Sequence, residues 1–405
     1  MLQGLIQSTQ GSKQLHSLVA VDNRLQTVSL CLATDFGAWS DLPGREGTAH
    51  LLEHLLIYSP LRAGSSLSDR ISERGGYCNA ETHADGMVFS VQVHPDEADI
   101  ALELMLEAVF TPSVDETSLS RERQAVLREL TALEADPSDL VQRSFVSSVL
   151  GEHPLACPVG GTNSSVEGIT IDHAISAHRQ HFLNSTFTLV SVGPKTPDAV
   201  HQDIGQPGTR GPASSHVPKA KIPRLQRQPP EWTGDFAWMC VGAAAPSVTS
   251  KRRPAFNVLE FMLGSRSTSL LNRRLRVEQS LAYVFEAWYR GYSGAGTWSV
   301  IAGAETRHGD DIVSAVRDCL ADVASGRSSP DSFEVARRQA VMQVLRESES
   351  PFDQALQIAR KAKSGYVSRG TDAETSLLAS VSFEDVREAA KSILDDLTIV
   401  VESEA

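Results

Sequence analysis

The chain has 405 residues, of which 41% are hydrophobic and 21% charged, with a formal net charge of −13. That length suggests two domains or more, and the composition is that of a globular protein rather than a disordered or fibrous one. No run approaches the roughly 18 uninterrupted apolar residues of a membrane span, and the negative balance argues against a nucleic-acid partner. The charge is uneven. Residues 1–200 hold 25 Asp and Glu against 12 Lys and Arg, whereas the remainder holds 25 of each. A preference for cationic ligands follows as an expectation. The N-terminus has no basic region followed by an apolar stretch, so no signal peptide is expected. Five cysteines, Cys31, Cys78, Cys157, Cys240 and Cys319, share no CxxC spacing. An odd number without a framework fits a reduced, cytoplasmic setting.

In chain order, residues 26–32 (QTVSLCL) alternate as a half-buried strand. Residues 47–56 (GTAHLLEHLL) read as an apolar helix interrupted by His50, Glu53 and His54. Residues 88–93 alternate again, and 96–110 and 121–134 have helical spacing, the first stopped by Thr111-Pro112. Residues 204–231 are rich in Pro, Gly and Ser with no hydrophobic period and read as a linker. This divides the chain into domains 1–203 and 232–405.

The two parts echo one another. Residues 120–127 (SRERQAVL) resemble 335–342 (VARRQAVM), 86–91 (GMVFSV) resemble 296–301 (GTWSVI), and the closing strands 186–192 and 396–401 correspond. Their common order indicates a duplicated domain. Each part runs strand, helix, hairpin, helices, strand, which predicts an α+β class of two tandem sandwich domains rather than a doubly wound sheet. No Gly-rich phosphate loop is present. Trp238, Trp288 and Trp298 lie on strand-like segments and are expected in a core or cavity wall.

On a helix, residues four apart share a face, so His50 and His54 can address one atom. Two imidazoles at that spacing suit zinc. Glu53 borders the same face and can take a proton from a water there. A catalytic zinc usually has three protein ligands, so another must come from elsewhere.

His-Leu-Leu-Glu-His within GTAHLLEHLL resembles the inverted HxxEH motif of the pitrilysin-like (insulinase, M16) metallopeptidases. The resemblance implies a third ligand in a later helix that also carries a glutamate seven positions earlier. Glu129 and Glu122 stand at those places, Glu129 as ligand and Glu122 as a supporting acid. Residues 75–82 (GGYCNAET) resemble the family's edge strand beside the metal, with Asn79 and Ala80 at the substrate-facing pair. An aromatic often follows that pair, and Glu81 in its place puts an apolar pocket in question. No histidine occurs between His216 and His308, so the second part cannot repeat the metal motif. It resembles the metal-free family domain in which an arginine and a tyrosine seven apart contact substrate, here Arg276 and Tyr283. The length resembles the short, two-domain subfamily (M16B, processing-peptidase-like), which implies a homodimer or a heterodimer with a related subunit.

These readings converge on a Zn2+-dependent endopeptidase for peptides or unfolded segments bound as an added strand. Removal of a leader peptide from a ribosomally made natural product is one specialised role, and general oligopeptide turnover is the alternative. A non-catalytic structural or assembly subunit of the same fold is the rival from another class.

Overall fold

The computed structural model describes residues 15–62, 64–198, 231–366 and 370–403; the proposed linker 204–231 lies outside them except for Glu231. In chain order the elements are β1 (Leu15–Val21), β2 (Val28–Thr34), α1 (Thr48–Tyr58), α2 (Leu67–Ser72), β3 (Tyr77–His83), β4 (Gly86–Val93), α3 (Ala98–Phe110), α4 (Glu116–Glu134) and α5 (Pro137–Leu150). There follow α6 (Asn163–Glu167), α7 (Ile171–Gln180), β5 (Phe187–Gly193), β6 (Phe236–Ala245), α8 (Arg253–Leu263) and a π-helical turn at Asn272–Glu278. The chain continues with β7 (Val284–Gly291), β8 (Gly296–Glu305), α9 (Gly309–Ala324), α10 (Pro330–Glu349), α11 (Pro351–Ala362), α12 (Thr371–Ala379), α13 (Phe383–Asp395) and β9 (Thr398–Ser403).

The chain divides into two compact units, and neither is a single stretch. The first draws on Met1–Thr131, Cys157–Val217 and Glu347–Ser368, the second on Ala132–Ala156, Pro218–Arg346 and Arg369–Ala405. The divisions at 203 and 232 read from the sequence therefore do not coincide with the limits of packing. Helix α5 packs on β6 and β9 of the second unit, and α11 packs on β2, β4 and β5 of the first.

The first unit is built on a five-stranded sheet of order β1-β5-β2-β4-β3. Its strands are antiparallel except for β1, which pairs parallel with β5 and which the sequence pattern did not reveal. One face is covered by α1, α2 and α3, where Val28, Leu30, Leu32, Met87, Phe89 and Val91 meet Ala49, Leu52 and Leu102. On the other face, Cys31, Ala33, Val88, Val190 and Val192 meet Ala355, Leu356 and Ala359 of α11. The alternation at 26–32 and 88–93 implied one solvated face. Instead β2 is buried throughout, and β4 nearly so, because α11 covers the second face. Ser29 and Ser90, two polar members of that alternation, are buried with the rest, and Gln92 is half-buried.

The second unit has a four-stranded sheet of order β7-β8-β6-β9, all antiparallel. Read backwards, β9-β6-β8-β7 repeats β5-β2-β4-β3, so the duplication extends to the strand order. Trp298 lies fully inside this core, while Trp238 and Trp288 are half-buried.

Each buried Val or Leu contributes roughly 1.5–3 kcal/mol. Several such side chains across the α11 seam amount to a sizeable part of a domain's whole stability, about 5–15 kcal/mol. Ala359→Asp, which buries an unpaired carboxylate in that seam, should destabilise the first unit by about 3 kcal/mol or more. Urea unfolding followed by circular dichroism should show the lower midpoint; an unchanged midpoint would mean that α11 is not required there.

Candidate metal centre and substrate edge

Helix α1 is buried from Thr48 to Ile57 with the exception of His50, which is half-buried. Two cores grip it. Ala49, Leu52 and Leu56 belong to the sheet core, and Leu51 and Leu55 pack with Leu119, Val126 and Leu130 of α4. The polar groups emerge on the strip between these contacts. The helix begins at Gly47, whose φ of 90° is a left-handed conformation that favours glycine. A Cβ there would stand 2.4 Å from the Gly160 carbonyl oxygen, so residue 47 is held to glycine twice over. Asp41 takes the first helical amides, accepting from Gly47 N at 2.7 Å and Ala49 N at 2.9 Å.

Helix α4 is opened by a reciprocal cap, in which Ser118 N donates to Asp115 Oδ1 and Asp115 N to Ser118 Oγ. Its buried positions Leu119, Glu122, Val126 and Leu130 form one stripe against α1. That packing brings Glu129 Oε2 to 3.6 Å from His50 Nε2 and 3.5 Å from His54 Nε2. The imidazole rings are 4.9 Å apart, nearly perpendicular. Glu122 Oε2 lies 3.5 Å from the other nitrogen of His54, Nδ1. Burial, and then the neighbouring His54, pushes His50 down to about 4, so its imidazole is neutral.

These residues fit a zinc ion. In a tetrahedral site with bonds of about 2.0–2.1 Å, neighbouring donors stand roughly 3.3–3.4 Å apart, close to the separations from Glu129. Hydrogen bonds would be shorter, so the three groups converge without bonding one another. The Nδ1 atoms of both histidines are buried without a hydrogen-bond partner, and that of His54 faces Glu122, as a ligand's outer nitrogen would.

Glu53 faces β3. Its Oε2 accepts from Thr82 Oγ1 at 2.6 Å, and burial raises its carboxyl pKa against the opposing effect of that hydrogen bond. Strand β3 is the sheet edge, bonded to β4 on one side only. Its side chains alternate. Cys78 and Ala80 pack on the core shared with α1, and Thr82 reaches Glu53. By the same alternation Asn79 points to the opposite face, so the two candidate substrate contacts are on different sides of the strand. Glu81 is on the face away from α1 as well. Arg360 of α11 donates to it twice, Nε to Oε2 at 2.8 Å and Nη2 to Oε1 at 2.6 Å. The acidic side chain whose presence questioned an apolar pocket is thus directed away from the histidines.

Arg276 and Tyr283 belong to the second unit. The guanidinium lies over the phenol ring at 4.7 Å, and Tyr283 is 76% exposed. The intervening Ser280 has a φ of 53°, which the bond from Leu281 N to Leu275 O helps to hold.

Several contributors were not singled out in the sequence. Arg121 donates through Nε to Glu122 at 2.7 Å and through Nη2 to the Tyr58 carbonyl oxygen at 2.7 Å, joining Glu122 to the end of α1. Thr82 and Asp41 act through hydrogen bonds, and neither carries a motif. On α4 only the spacing of the two acids in residues 121–129 (RERQAVLRE) marks a site, and Arg121 stands inside it as one of many arginines.

Burial alone would raise the Glu81 carboxyl, but hydrogen bonds from His83 and Arg360, with the charge of Arg360, outweigh it and hold the group at about 2 against an ordinary 4.5. A depressed carboxyl stabilises the fold fully above its unfolded value and loses that contribution as pH falls toward the folded one. In metal-stripped protein, the stability gap between wild type and Glu81→Gln should therefore narrow from about pH 5 to about pH 3. Urea midpoints measured across that range check it; a constant gap would rule out the ion pair as its source.

The comparisons with known proteins agree with this geometry. The family model described as insulinase (peptidase family M16) matches residues 18–163, and that described as the peptidase M16 inactive domain matches 168–340. The chain is 24% identical to an uncharacterized zinc protease of Streptomyces coelicolor over 386 residues, covering 91% of this chain and 84% of that protein. It is 21% identical to an uncharacterized zinc protease of Bacillus subtilis over 321 residues, 78% of each. Among solved structures, a protease from Helicobacter pylori has a TM-score of 0.79 at 18% identity, covering 96% of this chain and 97% of that one. A chain of complex III2 from Candida albicans has a TM-score of 0.78 at 17% identity, covering 95% and 93%. At these identities the structural likenesses show the fold alone. With both family models matched in tandem over most of its length, the chain belongs to the insulinase (M16) peptidase family.

Proposed function

We propose that the protein is a zinc-dependent endopeptidase that takes extended peptide segments as an added strand on β3. The observation that carries this is the convergence of His50, His54 and Glu129 beside Glu53, which is itself hydrogen-bonded to the edge strand through Thr82. His50, His54 and Glu129 would hold the ion, with Glu122 orienting His54. A zinc ion held there supplies Lewis acidity toward the scissile carbonyl.

The chain's own groups supply the rest. Edge strand β3 offers backbone donors and acceptors to an incoming peptide. Glu53 takes a proton from the attacking water and returns it to the leaving amine. Its bond to Thr82 ties that carboxylate to the strand on which the substrate would lie, so attack and substrate share one reference frame. Arg276 is assigned to a substrate carbonyl and Tyr283 to the developing oxyanion. Tyr283's exposure leaves its hydroxyl available for this. Asn79 and Ala80 are assigned to the two sides of the bound peptide. The acidic excess of residues 1–200 supports cationic peptides as substrates. Leader-peptide removal is the specialised role we favour, with oligopeptide turnover as the alternative.

Among the described residues no helix is long and apolar enough to cross a membrane. A non-catalytic assembly role would need no metal, so metal content separates it from the peptidase reading. Purified wild type should hold one zinc per chain and cleave unstructured peptides. His50→Ala should lose the metal. Glu53→Gln should keep it and lose kcat/KM by on the order of 10²–10⁴. Glu122→Gln should weaken metal affinity about 10–100-fold. Metal-free wild type, or zinc lost from Glu53→Gln alone, would contradict the assignment.

The working form is proposed to be a homodimer, or a heterodimer with a related subunit, whose sites combine the metal residues of one chain with Arg276 and Tyr283 of the other. Mixing inactive His50→Ala with inactive Arg276→Ala/Tyr283→Phe should restore part of the activity. No recovery despite proven subunit exchange would mean that each chain completes its own site.

A further inference from the structure

Strand β3 is attached on its outer face by a helix from a distant part of the chain. Tyr77 meets Phe352 edge to face, with ring centroids 5.4 Å apart. Glu81 receives both hydrogen bonds from Arg360 and lies 3.1 Å from His83 Nε2. In the turn after the strand, fully buried Asp85 pairs with Lys363 and accepts from Ser364 Oγ at 2.6 Å. The spacings are commensurate. Four strand residues from Tyr77 to Glu81 span about 13 Å, and eight helical residues from Phe352 to Arg360 rise about 12 Å. The helix itself packs on β2, β4 and β5, and its side chains reach β3 at two points spaced alike along helix and strand.

We infer that Arg360 is a positioning residue for substrate, holding edge strand β3 through Glu81 in the pleat and register that an added peptide strand requires. The inference rests on the peptidase reading above. An edge strand is hydrogen-bonded on one side only, so its position depends on its two faces. The inner face is held by α1 through Cys78, Ala80 and Thr82. On the outer face, the bidentate pair at Glu81 fixes direction as well as distance, which a single contact would not. Glu81 stands between Ala80 and Thr82, next to the residue that binds Glu53. Arg360 touches none of the metal-binding or proton-transferring groups, so its effect should fall on binding of the extended substrate.

Arg360→Ala should retain zinc and raise KM for an unstructured peptide about fivefold or more, with kcat within about twofold. Arg360→Lys, which keeps charge but loses the planar fork, should fall between. The exchanged pair Glu81→Arg/Arg360→Glu should recover part of the loss. Should Arg360→Ala fail to fold, Glu81→Gln supplies the same comparison. Amide hydrogen exchange provides a readout independent of activity. In Arg360→Ala, amides of Tyr77–His83 should exchange at least tenfold faster while those of Val28–Thr34 do not change. Unaltered exchange at β3 would overturn the inference even if wild type cleaved no peptide. Faster exchange with an unchanged KM, or a fall in kcat alone, would overturn it in an active enzyme.

Discussion

The double-sided burial of helix α1 is the constraint on which the rest depends. Leu52 and Leu56 are committed to the sheet core and Leu51 and Leu55 to α4, which leaves a narrow strip for His50, Glu53 and His54. Apolar packing sets the rotation of the helix, and the rotation sets where the imidazoles point. The same Leu119, Val126 and Leu130 that bury α4 against α1 also carry Glu122 and Glu129 to the histidines. The candidate metal ligands are thus positioned by contacts that are not themselves polar. The electrostatic arrangement follows: His50 is neutral because it is desolvated, and Glu122 is balanced by Arg121.

The opposite face of the sheet has a different logic. A sheet needs cover on both sides if its strands are apolar on both, and β2 and β4 are. In the first unit that cover is α11, which follows α10 of the second. Helix α5, which follows α4, serves the second unit in return. Duplication makes this exchange possible, since the two sheets share four strands in the same order and each half carries a helix at the equivalent place. The consequence for the site is direct: Glu81, on the strand beside Glu53, is held by a residue 279 positions away.

Family membership and geometry support each other without being the same argument. The matched family models cover both halves, including one described as inactive, and a chain of complex III2 from Candida albicans shares the fold. Fold alone therefore leaves catalysis undecided. What points to chemistry is local: two histidines and an acid converging at distances too long for hydrogen bonds, with a buried glutamate beside them.

By itself, the sequence determined the α+β class, the internal duplication, the i, i+4 histidine pair and, through resemblance, the acids on α4. Those features are local or periodic, and a helix repeat or a spacing of residues is legible without coordinates. Strand β1 escaped because its pairing with β5 is a long-range parallel contact with little alternation to mark it. Tertiary structure alone decided which residues cover the second sheet face, because Ala355, Leu356 and Ala359 look like any amphipathic helix until their partner is known. It also decided the direction of Glu81. A strand's alternation separates its two faces but does not say which one meets the histidine helix, and here Thr82 turned to Glu53 while Glu81 turned to Arg360.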